Sequence, residues 1–90
     1  MPYIKHEERV WLSKTSDTYA EALVHATPEK TAGIVNFLIT KLMRAVVQHL
    51  GESYATYNLL IGALECAKLE LYRRKIGPYE DAAIIKNGDV

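Results

Sequence analysis

Residues 33–51 read Gly33-Ile34-Val35-Asn36-Phe37-Leu38-Ile39-Thr40-Lys41-Leu42-Met43-Arg44-Ala45-Val46-Val47-Gln48-His49-Leu50-Gly51, and this stretch decides the fold. Its apolar residues recur with a helical period, and no alternating pattern of a half-buried strand is present. Polar residues recur every fourth position, at Asn36, Thr40, Arg44 and Gln48, with Lys41 and His49 beside them. That leaves only a thin polar stripe. A surface helix needs one apolar face, and Ile34 to Leu50 carries apolar residues on nearly all of them. In a chain of 90 residues there is little else to cover it. The stretch therefore reads as a helix buried partly by its own chain and partly by another subunit.

Working outward, Gly51 ends this helix and Ser53 caps the next. That helix runs to about Ile76. Tyr57, Leu60, Ile61, Leu64, Ala67, Leu71 and Tyr72 form its apolar face, and Gly62, Ala63, Cys66 and Ala67 a small-residue patch that lets a neighbouring helix approach. Glu70 and Arg74 stand four apart, and Arg73, Arg74 and Lys75 sit where cations oppose the helix dipole. Gly77-Pro78 reads as a stop, followed by a short helix over Tyr79 to Lys86. Upstream, the pattern predicts a short helix over Lys5 to Leu12 and another over Asp17 to Ala26 with Ser16 as its N-cap. Thr27-Pro28-Glu29 looks like a fresh helix start, with Thr as cap and Pro at the first helical position. Gly33 makes a later start, at Ile34, the expected one. Two residues between the long helices force an antiparallel hairpin. The fold reading is an all-α single domain over residues 1–90: that hairpin, short flanking helices, and assembly as a homo-oligomer.

Composition narrows the function. Hydrophobic residues make up 49% and charged residues 24%, which excludes a disordered chain. Eleven basic residues balance eleven acidic ones, which excludes a generic nucleic-acid coater. One cysteine excludes an internal disulfide framework. A short chain with neither disulfides nor a visible metal motif commonly gains stability by self-association. Charge at Lys5, Glu7 and Glu8 occupies the place of a leader's apolar core, and no apolar run approaches a membrane span. A soluble cytoplasmic protein is expected.

Catalytic constellations are sparse. The three histidines lack ligand spacing and Cys66 has no cysteine partner, so no metal or other cofactor is expected. Cys66 reads as a buried, inert thiol within the small-residue patch. All-α Mg²⁺-dependent pyrophosphohydrolases need carboxylates three or four apart on facing helices. Only Asp17 and Glu21 meet that spacing, so a divergent enzyme using Glu65, Glu70, Glu80 and Asp81 is the weaker alternative.

Two polar groups remain as ligand-binding candidates. Lys68, Tyr72, Arg73, Arg74 and Tyr79 combine cations that hold phosphate with rings that stack on a base. They equally suit pairing with Glu70, Glu80 or Asp81. Asn36, Thr40 and Arg44 can line a polar pocket at a subunit interface, or form a solvated edge. Tyr3, Trp11, Tyr19, Tyr54, Tyr57 and Tyr79 lie near expected element ends, where aromatics serve an interface or the rim of a small core.

Three stretches resemble a family of small uncharacterised proteins of tailed phages, prophages and some archaea. The opening Met1-Pro2-Tyr3-Ile4-Lys5 with Glu8-Arg9 is similar to the family's start. Gly33 to Leu42 is similar to its pattern of glycine, acid, Leu-Asn-Tyr and Ile-Thr-Arg-Leu. Gly62 to Arg74, Pro78-Tyr79-Glu80-Asp81 and Asn87-Gly88-Asp89-Val90 are similar to the rest. The resemblance implies a phage-type protein acting in the host cytoplasm, and no activity. Ile34 replaces the family's acid and Phe37 its tyrosine, and both changes favour packing over chemistry. The combined expectation is a non-enzymatic helical binding protein whose partner is itself, without generic nucleic-acid or membrane binding. It would sequester a nucleotide signal of host defence between subunits, or bind a host or phage protein as an adaptor or inhibitor.

Overall fold

The computed structural model describes residues 4–90, and every regular element among them is helical. Helix α1 spans His6–Leu23, α2 spans Pro28–Leu50, α3 spans Tyr54–Leu71 and α4 spans Gly77–Asn87. A π-helical turn, Tyr72–Ile76, joins α3 to α4 without a break. The all-α expectation holds. The opening Met1-Pro2-Tyr3 lies outside the described residues.

The chain clusters into two units, Met1–Val46 and Val47–Val90, with the boundary inside α2.

In the first unit, α1 is one helix where two were expected. Ser16 does not cap a second helix: its hydroxyl donates to the Ser13 carbonyl at 2.8 Å. Ser13 donates likewise to the Arg9 carbonyl at 2.7 Å, and Thr18 to that of Lys14 at 3.4 Å. The hydroxyls that favour a break elsewhere here bond back onto their own helix and leave it intact. Glu7 and Glu8 in the first turn oppose the dipole. Trp11 consequently sits inside a helix, not at an element end, and is 61% exposed.

Helix α2 begins six residues earlier than expected, at Pro28. The Thr27 hydroxyl accepts from the Lys30 N–H at 3.4 Å, and Pro28 sits first, where its missing N–H costs nothing. Gly33 is carried inside the helix. Along α2, Ile34, Leu38, Met43 and Val46 are half-buried, whereas Phe37 is 61% exposed.

In the second unit, Gly51 takes φ +87° and ends α2, its N–H donating to the Val47 carbonyl at 2.7 Å. Three residues, not two, separate α2 from α3. Ser53 caps α3 as expected: its hydroxyl accepts from the Thr56 N–H at 3.1 Å and lies 3.2 Å from the Thr56 hydroxyl. Gly77-Pro78 does not stop the helix. Proline lacks the N–H for an ordinary α bond, and its ring crowds the carbonyl four residues back. The backbone widens instead: the Gly77 N–H reaches the Tyr72 carbonyl five residues earlier, and Pro78 is absorbed into the first turn of α4. Gly88, at φ +86°, closes α4.

No apolar side chain among the described residues is buried. Thr56, at the α3 cap, is the sole buried residue among them.

Candidate functional site

The candidate residues fall into two groups. Lys68, Tyr72, Arg73, Arg74 and Tyr79 lie in the unit of residues 47–90, and Asn36, Thr40 and Arg44 in that of residues 1–46.

Glu70 organises the first group. The rise of a helix puts residues three and four further on over the same face. One carboxylate oxygen, Oε1, therefore accepts from Arg73 Nη2 at 2.9 Å and also from Arg74 Nε. The Arg74 bond, with Arg73 adding to it, pulls the Glu70 carboxyl down to about 2, against a smaller opposing effect of partial burial. Glu70 thus stays ionised at every physiological pH. The i,i+4 pair of Glu70 and Arg74 was legible in the sequence, while the convergence of both guanidiniums on one oxygen was not. Lys68 pairs with Glu65 at 2.9 Å across open solvent. Tyr72 is 49% exposed and Tyr79 is 78% exposed, so both rings offer faces to a ligand.

In the second group the Thr40 hydroxyl donates to the Asn36 amide oxygen at 3.3 Å along the exposed face of α2. Arg44, one turn further on, is exposed as well.

Among the described residues, no three His, Cys, Asp or Glu side chains converge so as to hold a metal ion. Glu65 and Glu70 are each engaged by cations of their own helix. Cys66 is exposed, which corrects its reading as a buried thiol. No helix among the described residues is long and apolar enough to cross a membrane.

Two features escaped the sequence reading. The Tyr57 hydroxyl donates to Glu52 Oε1 at 2.8 Å, and this bond raises its pKa. The signal was a tyrosine five residues after an acid across a helix start. The other feature is an apolar groove of about 200 Å³ in the first unit, between α1 and α2. Tyr19 and Leu23 form one wall, and Val35, Leu38, Ile39 and Leu42 the other. Its signal was the i, i+3, i+4, i+7 spacing of that second wall.

No curated protein and no solved structure matches the chain. A family model described as "Domain of unknown function (DUF6899)" matches residues 1–90, and the chain belongs to that family.

Proposed function

We propose that this protein is a non-enzymatic helical binding protein whose working surfaces are completed when chains associate. One observation carries this reading: among the described residues, large apolar side chains stand exposed along all four helices and none is buried. Catalysis relies on preorganised groups in a site that excludes water. Here the polar groups sit on open helix faces and are paired locally. Open apolar faces suit recognition instead, because their burial is what drives protein association.

A ligand reading of the Arg73 and Arg74 turn goes with it. Two guanidiniums converging on one anionic oxygen form the arrangement that clamps a phosphate oxygen. Exposed Tyr72 and Tyr79 are the rings available for a base. A nucleotide signal of the kind used in host defence is the ligand class, held where chains meet. Glu70 is its competitor, since the ligand must displace an ionised carboxylate.

Native mass spectrometry of the purified protein tests both statements, alone and with cyclic dinucleotides or ADP-ribose derivatives plus Mg²⁺. A discrete oligomer that retains an unaltered nucleotide is expected. Turnover of the nucleotide would overturn the non-enzymatic reading. A monomer that retains nothing would overturn binding through association.

A further inference from the structure

The widened turn between α3 and α4 does more than admit a proline. Within Tyr72–Ile76 the backbone bonds run five residues back, not four, and the Gly77 N–H closes the turn on the Tyr72 carbonyl. Two residues hold this geometry. A Cβ on Gly77 would stand 3.3 Å from that carbonyl oxygen, tighter than side chains ordinarily sit, so glycine suits the position. Pro78 has no N–H with which to reach the Arg74 carbonyl, so the α bond that would narrow the turn cannot form. Both residues favour the wide form over the narrow one.

A turn of this kind spends one residue more than an α-turn, and every later position is set back by one. The consequence falls on Tyr79. An α-helix advances about 100° per residue. In an unbroken α-helix Tyr79, five residues after Arg74, would lie about 140° round from it. With one residue absorbed, Tyr79 takes the place of a residue four on, about 40° round and one turn along. Tyr72, two residues before Arg74, stays on the nearly opposite face. The ring that shares a face with Arg74 is therefore Tyr79, and it is 78% exposed. The side chains of Arg73 and Arg74 are 67% and 56% exposed, so a ligand can reach them. One helical turn is a rise of about 5 Å, a span that a nucleotide covers between phosphate and base. Two guanidiniums alone would take any phosphate. A ring one turn away adds a preference for a phosphate that carries a base.

We infer that the widened turn is a positioning device: it brings Tyr79 onto the Arg74 face, so that a nucleoside phosphate is held with its phosphate on Arg73 and Arg74 and its base on the Tyr79 ring. This inference rests on the proposed ligand reading of the same turn. It adds which ring stacks, what places it, and a preference for nucleotides over free phosphate.

Titration calorimetry on the full chain tests it, with a cyclic dinucleotide, with ADP-ribose, and with inorganic pyrophosphate as the base-free probe. Tyr79→Ala should weaken nucleotide binding about tenfold or more and leave pyrophosphate affinity unchanged. Tyr79→Phe, which keeps the ring, should bind as wild type, and Tyr72→Ala should change neither affinity. The register is read separately. Gly77→Ala with Pro78→Ala restores the missing N–H and crowds the wide form, so the helix closes and Tyr79 turns away. Nucleotide binding should then fall as far as in Tyr79→Ala, while circular dichroism shows helicity kept or raised. Gly77→Ala, Pro78→Tyr and Tyr79→Ala together put a ring four residues after Arg74 in that closed helix, and should recover binding. Full binding by the double variant, or none by the triple one, overturns the positioning role of the turn. A wild type that binds nucleotides no more tightly than Tyr79→Ala overturns the inference and leaves the ligand reading of the arginine turn standing. A wild type that binds no nucleotide overturns both.

Discussion

Glu70 holds two arginines on one oxygen, and its acidity follows from that. Its carboxyl lies near 2 instead of the ordinary 4.5. A depressed carboxyl contributes stability that is full above its unfolded value and lost as pH falls through its folded one. Glu70→Gln should therefore lower the melting temperature at neutral pH. The gap to wild type should close between pH 4.5 and 2, as thermal scans across that window would show. In nucleotide titrations the same variant should bind more tightly, because the competing carboxylate is gone. Arg73→Ala and Arg74→Ala should abolish binding, and unchanged affinity in both would remove this turn as the ligand site. Tyr57 runs the other way. Its hydroxyl, bonded to Glu52, is raised above the ordinary 10.0. That contribution is full below the unfolded value and fades as pH rises through the folded one. In an ultraviolet titration Glu52→Gln should let Tyr57 ionise at lower pH than it does in the wild type.

At the scale of elements, helix ends carry the local specificity. The Ser53 hydroxyl satisfies the Thr56 N–H at the start of α3. Ser53→Ala should cost about 1 kcal/mol in urea unfolding. Gly51 holds a left-handed backbone between α2 and α3. Gly51→Ala should cost about 1–2 kcal/mol in the same assay. Ser53 and Gly51 were legible, as short-range signals that act through a few neighbouring backbone groups, whereas the Thr27 start was seen but set aside for a later one at Ile34. The interior of α1 was not legible, because Ser13, Ser16 and Thr18 can bond within a helix or outside it with equal chemistry. The run through Gly77-Pro78 was not legible either. Proline forbids the α bond, but a backbone can answer by stopping or by widening one turn, and the residues alone favour stopping.

For the whole molecule, the proposed association makes stability a matter of concentration. If copies of the chain cover its exposed apolar side chains as proposed, the melting temperature should rise with protein concentration. Scans over a hundredfold concentration range would show this. The expectation of outside cover came from Ile34 to Leu50, where apolar residues crowd almost every face.

By itself the sequence determined the helical class, the Ser53 cap, the Glu70–Arg74 spacing and the membership of residues 1–90 in one family. All of these depend on residues close in the chain or on its pattern as a whole. Only the tertiary structure decided that α1 is continuous, that α3 passes into α4 through a widened turn, that Cys66 is exposed and that α1 and α2 flank an apolar groove. Each of those depends on which of two locally acceptable geometries the backbone takes, and on which side chains then have neighbours. That choice is made by competition among packing and hydrogen-bonding options across the fold, where local preference is one weak contribution among several.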